Sequence, residues 1–247
     1  MHLETIYKNI INELAPFASQ QHKANEVRVF LWFHSMSREE LIKWTTDNLP
    51  GIDLAPFQKL KDKRLLEQLS VRILLYKTLG PNVTVSKLST GRPVLSNCNK
   101  EISISHTRNA YILSVGNLRH GVDAEVLGQK AYRTARMFTT ESEQLKINRA
   151  TTELHWEPEE FYTTIWSAKE SIYKCCDQPG LSFKEQILFN KAQKDTLFFH
   201  LTENSKNNNL EIFFAKIDNV ALTLCTSNPE TQLNVNILTA EDVKKQQ

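Results

Sequence analysis

Asp123 and Glu125 stand two positions apart in GVDAEV, alternating with Val122, Ala124 and Val126. On a strand, positions i and i+2 project to one side, so both carboxylates share a face while their apolar neighbours turn inward. Two close carboxylates repel, and a divalent cation relieves that repulsion. Magnesium suits such a place, because it takes a few carboxylates and completes its shell with water and substrate phosphates. An ordinary amphipathic strand with a solvated acidic face has the same pattern.

A second candidate lies in FYTTIWSAKESIYKCC. At roughly 100° per residue, Phe161, Ile165, Ala168, Ile172 and Cys176 make one stripe, the core face of a helix. Trp166, Glu170 and Lys174, spaced i, i+4, i+8, fall on the other side. A solvent-exposed Glu–Lys pair accounts for Glu170 and Lys174. It does not account for Trp166, whose size predicts that this second face packs or lines a cleft. Upstream, Lys61, Arg64, Gln68 and Arg72 form a ridge beside Leu65, Leu69, Ile73 and Tyr76. Such a ridge holds phosphates or is simply a solvated helix face. Arg92 sits in the turn TGRPVL, and Ser105-His106 ends the strand EISIS, where a hydroxyl and an imidazole serve a ligand or the fold.

The elements that must position these residues follow from periodicity and caps. The chain opens with a helix, then the strand VRVFLWF at 27–33 and a helix from Arg38 to about Asn48. A long helix runs from about Gln58 to Leu79, stopped by Gly80-Pro81. Strands are predicted at 83–88, 101–107, 110–116 and 121–126. Thr140 and Glu143 make a capping box for a helix through Arg149, and Pro158 opens another that reaches about Cys176. The tail offers strands at QILFN, TLFFHL, LEIFFAKI and VALTLC, with ENSKNNN at 203–209 as a turn. Connections this short disfavour parallel crossovers. The expected class is therefore α+β, either one mixed unit or two similar lobes with a cleft between them.

The 247 residues, 40% apolar and 23% charged, suffice for a real core in one large or two small domains. A net charge of +2 argues neither for nor against a nucleic-acid partner. No apolar run spans a bilayer, and MHLETIYKNIINELAPF lacks the continuous apolar core of a signal peptide. Cys98, Cys175, Cys176 and Cys225 show no metal-ligand spacing and read as reduced thiols, which places the chain in the cytoplasm. The absence of a G-x-x-x-x-G-K-[ST] loop disfavours an ordinary nucleotide-binding phosphotransferase.

Taken in order, GRPVL at 91–95, ISISHT at 102–107, GVDAE at 121–125, WSAKESIYK at 166–174 and PGLSF at 179–183 resemble the 4'-phosphopantetheinyl transferase family. Its patterns are G-[KR]-P, I-S-H-[ST], G-[IV]-D-x-E and W-[ST]-x-K-E-[AS]-x-x-K followed by Gly-Leu. The matches run from roughly Lys63 to Phe183, and the length resembles the family's long, two-lobed type, which activates surfactin and siderophore synthetases. Ala124 stands where a larger aliphatic is usual, and CDQPGL replaces a more glycine-rich stretch. The first sixty residues carry no motif.

The resemblance implies transfer of 4'-phosphopantetheine from coenzyme A to a serine of an acyl or peptidyl carrier protein, releasing 3',5'-ADP. It implies that Asp123, Glu125 and Glu170 hold Mg²⁺ and that Glu170 is the general base. It places Lys174 on the pyrophosphate, and Arg64, Arg72, Arg92 and His106, with Ser105 beside them, on the 3'-phosphate and diphosphate. Two pseudo-twofold lobes are expected, 1–119 and 120–247, each a small, mainly antiparallel sheet with a long helix and the site between them. A monomer without membrane or nucleic-acid partners completes the picture. The alternative is a non-catalytic module that binds coenzyme A or docks a carrier.

Overall fold

The computed structural model describes residues 26–49, 51–203, 206–228 and 230–238; the expected N-terminal helix lies outside them. Strand β1 (Glu26–Phe33) is followed by α1 (Arg38–Asn48), a short α2 (Ala55–Gln58) and the long α3 (Asp62–Leu79). Ser37 closes a capping box with Glu40 at the start of α1. The long helix begins at Asp62 rather than near Gln58, because the Pro56 turn forms α2 separately. It stops at Gly80, whose φ of +86° an L side chain rarely adopts.

The strands β2 (Thr84–Lys87) and β3 (Pro93–Ser96) make a small ribbon that presents Arg92. Then come β4 (Glu101–Thr107), β5 (Ala110–Gly116) and β6 (His120–Val126). Two short helices, α4 (Gln129–Arg133) and α5 (Ala135–Phe138), precede α6 (Glu141–Leu154) and the long α7 (Pro158–Cys176). The chain ends in β7 (Ile187–Gln193), β8 (Thr196–Glu203), β9 (Lys206–Ile217), β10 (Val220–Thr226) and β11 (Gln232–Leu238). The segment expected as a turn at 203–209 is largely strand: β8 and β9 stay in register out to Glu203 and Lys206.

Two sheets result, in the orders β11-β1-β5-β4 and β6-β10-β9-β8-β7. All pairings are antiparallel except that of β1 with β11, where the end of the described chain returns to the first sheet. Alternation sorts the core into layers. On β1, Phe30 and Trp32 join a cluster with α1 and α3, while Val27, Val29 and Leu31 face the other way. There they meet Val122 and Ala124 of β6 and Leu222 and Leu224 of β10. The sheets are thus packed on each other, with α3 covering one and α7 the other, an α+β arrangement in which each sheet carries one long helix.

Helix α7 is buried on nearly every side, so the expected single stripe is too narrow. Cys175, not Cys176, is the buried thiol at its end, and all four cysteines are free. No helix among the described residues is long and apolar enough to cross a membrane.

Candidate functional site

The site forms where α7 crosses the seam between the sheets. Strand β6 is an edge strand, and its outward backbone N–H groups need acceptors. Two serines of β4 supply them: Val122 N–H donates to Ser103 Oγ (3.0 Å) and Ala124 N–H to Ser105 Oγ (3.3 Å). The alternating hydroxyls of ISIS therefore stand in for a ladder and lock the sheets together. Helix α7 lies directly on this seam. A Cβ on Gly121 would sit 2.1 Å from the Ser171 carbonyl and 2.6 Å from the Cys175 nitrogen, so only glycine permits that approach.

The alternation on β6 then aims Asp123 and Glu125 toward α7. Asp123 is 5% exposed and accepts three hydrogen bonds of 2.8 Å. Ser105 Oγ and Lys174 Nζ donate to Oδ1, and Ser167 Oγ to Oδ2. Lys174 Nζ also reaches the carbonyls of Val122 (3.0 Å) and Ile104 (3.3 Å), one from each sheet. Glu125 accepts from Trp166 Nε1 at 3.3 Å. Trp166 packs between Phe138 and Phe183, which is how the second face of the helix absorbs that aromatic.

Burial, then the charge of Asp123, raises the pKa of Glu125 above the ordinary glutamate value. Glu170 is raised for the same two reasons, with Lys174 opposing and Glu125 adding. Such mutual repulsion is what a cation would relieve, and three carboxylates are hard oxygen donors of the kind Mg²⁺ takes. Asp123, with about four acceptor positions, has one left for a metal. Among the described residues no three acidic, histidine or cysteine side chains already stand as a complete metal cage. The donor chemistry fits a hard cation held chiefly by Glu125 and Glu170, with Asp123 contributing its remaining lone pair.

These residues line one cleft of about 550 Å³ together with Arg92, Ser105, His106 and Tyr173. Arg92 pairs with Glu101 and lies 3.6 Å from Asp177. His106 Nδ1 is 3.7 Å from Glu67. Burial lowers the His106 pKa; Glu67 opposes this, and Lys174, Arg64 and Lys63 add to it. Arg64 and Arg72 are not brought to this cleft. They line a neighbouring one of about 540 Å³ that meets the first at Lys87, Ile104 and His106. Arg72 donates to the Val83 carbonyl at 2.8 Å and so braces α3 against the approach to β2.

Sequence reasoning missed Ser103 and Ser167. Ser103 was signalled only by standing two residues before Ser105, and Ser167 by filling the [ST] position of W-[ST]-x-K-E on the turn facing Asp123. It also passed over Lys169, which is fully buried and turned away from the cleft.

Residues 119–225, which carry β6, α7 and most of the second sheet, match the family model of the 4'-phosphopantetheinyl transferase superfamily. That segment, somewhat less than half of the chain, is similar to the superfamily's domain. A holo-[acyl-carrier-protein] synthase from Thermotoga maritima aligns with a TM-score of 0.36 at 17% identity, covering 44% of this chain and 62% of that one. The alignment thus spans less than two thirds of that protein. A search of curated protein sequences returned no match. The resemblance read from GVDAE and WSAKESIYK, both inside that segment, is borne out at the level of the superfamily.

Proposed function

We propose that the protein transfers 4'-phosphopantetheine from coenzyme A to a serine of an acyl or peptidyl carrier protein, releasing 3',5'-ADP. The observation that carries this reading is the convergence on one cleft of Glu125, Glu170, Asp123 and Lys174, all four of which lie in the segment that matches the family model. In this reading the long, two-lobed arrangement places the cleft between an N-terminal lobe, 1–119, and a C-terminal lobe, 120–247.

Asp123, Glu125 and Glu170 would hold Mg²⁺, which when bound supplies neutralisation of the pyrophosphate charge. Lys174, fixed by Asp123 and two carbonyls, presents its ammonium to the same phosphates and offsets charge on the departing 3',5'-ADP. Arg92 and His106 grip the remaining phosphates across the cleft, with Ser105 beside them, and Arg64 and Arg72 extend the basic surface into the adjoining cleft. The carrier serine attacks the β-phosphorus. Its new P–O bond forms as the bond to the bridging oxygen of 3',5'-ADP breaks, and the serine proton passes to Glu170.

A protein acceptor also suits the surface. Tyr132, Met137 and Leu145 are 47%, 78% and 73% exposed on α4, α5 and α6, elements that also carry Lys130, Arg133 and Lys146 and, in the first turn of α6, Glu141. Exposed apolar side chains with a basic surround are the equipment of a docking face for an acidic partner.

The test is turnover: the purified chain, coenzyme A and Mg²⁺ with a panel of apo carrier proteins, read by intact mass. One carrier gaining a phosphopantetheine supports the reading. Coenzyme A binding without modification of any carrier would move the protein to a non-catalytic role.

A further inference from the structure

Lys174, Arg92, Arg64 and His106 each have a carboxylate beside them, while Arg72 is given to the Val83 carbonyl, and one of those carboxylates is held differently. Asp123 is fixed by three short hydrogen bonds. Glu67, on α3, is shared. Its Oε1 lies 3.7 Å from His106 Nδ1 and 3.9 Å from Lys63 Nζ, and its Oε2 lies 3.5 Å from Arg64. None of these contacts is as short as a good charge-assisted hydrogen bond. The Glu67 side chain is nonetheless only 13% exposed. It therefore sits as a common counter-ion between two cations, Arg64 and Lys63, and the His106 imidazole, at the place where His106 joins the two clefts.

Glu67 lines the second cleft beside Arg64, so an anionic ligand that spans His106 toward Arg64 meets that carboxylate. We propose that Glu67 is a specificity-determining residue, an internal counter-ion seated among His106, Arg64 and Lys63 that the substrate's 3'-phosphate must displace. The proposal rests on the functional reading above. It gives Glu67 a defined effect: binding of any 3'-phosphorylated nucleotide is weakened by the competition. Because the leaving 3',5'-ADP carries the same phosphate as coenzyme A, the competition also hastens product departure. A residue that merely oriented His106 for phosphate would have the opposite sign, since its removal would weaken binding.

The experiment is calorimetric titration of wild type, Glu67→Gln and Glu67→Asp with 3',5'-ADP, 5'-AMP and inorganic phosphate. The two nucleotides differ only in the 3'-phosphate. Removing one partly exposed carboxylate should tighten 3',5'-ADP about three- to tenfold and leave 5'-AMP unchanged. Glu67→Asp, which keeps the charge, should stay near wild type. Glu67→Ala must move in the same direction as Glu67→Gln, which guards against a misfolded single variant. Unchanged or weaker binding of 3',5'-ADP by the uncharged variants overturns the proposal. If wild type does not distinguish the two nucleotides, the functional reading is at fault, and inorganic phosphate decides Glu67 independently: tighter in Glu67→Gln sustains the seat, unchanged removes it.

Discussion

Two lysines five positions apart on α7 have nearly the same partners and opposite fates. Lys169 donates to Glu143 (2.6 Å) and to the carbonyls of Phe138 and Phe183 (both 2.8 Å). Lys174 donates to Asp123 (2.8 Å) and to the carbonyls of Val122 and Ile104. Each therefore has one carboxylate and two carbonyls. The Lys169 side chain is 0% exposed and the Lys174 side chain 28%. Enclosure converts the first into a pin joining α7 to α5, α6 and β7, since Glu143 also accepts from the Phe189 N–H. An open side leaves the second available to a ligand. The same inventory of groups makes structure or chemistry according to what covers it.

The sharpest way to break this contrast is Glu170→Gln, on the open side. Glutamine keeps the size but neither accepts the serine proton nor binds magnesium well. Transfer rate should fall by about 10²- to 10⁴-fold while thermal melting barely moves. Asp123→Ala should lose transfer as well, yet it should also lower the melting temperature, because it strands Lys174, Ser105 and Ser167. Near-normal turnover in Glu170→Gln, measured with coenzyme A and Mg²⁺ saturating, would reduce the open pair to a second structural pin.

On the closed side the effect should appear in stability alone. Lys169→Met leaves Glu143 buried and charged without its cation, at a cost of about 3–5 kcal/mol. Adding Glu143→Leu removes the stranded charge and should restore much of the loss. Denaturant unfolding of the two variants measures this. A single variant as stable as wild type, or a double variant no better than the single, would mean that the pair is not the pin described.

The sequence made both members of the open pair visible, Asp123 and Lys174, but only one member of the closed pair. Glu143 was legible as the end of a capping box with Thr140, and the structure has that box. Its second partner, Lys169, lies 26 residues on inside W-[ST]-x-K-E, and nothing in that pattern points back to Glu143. Strand β6 was legible because alternation separates Asp123 and Glu125 from Val122 and Ala124, and α7 because of its spacing and Pro158. What escaped was long-range or all-round. Strand β11 pairs with β1 from the far end of the chain, and no local pattern announces such a partner. Helix α7 is enclosed on most faces, so a one-stripe wheel chose Cys176 over Cys175. Arg64 and Arg72 shared a ridge with the right chemistry, but which cleft that ridge faces depends on where β2 and β4 lie.

The smallest effect tests enclosure through pH. Burial lowers the pKa of Lys169 from 10.5 to about 8, with Glu143 opposing the drop. Above about pH 8 the folded lysine loses its proton, while the unfolded chain keeps it until about 10.5. Within that window the unfolded state binds more protons, so this group makes the fold more stable as pH rises. The gain is at most about 3 kcal/mol. Other groups titrate in the same range, so the quantity to measure is a difference: the stability of wild type minus that of Lys169→Met/Glu143→Leu, at pH 8 and again near 10.5. That difference should grow with pH. If it is flat, the lysine keeps its proton as a solvated one would, and the contrast between the closed and open sides of α7 loses its electrostatic basis.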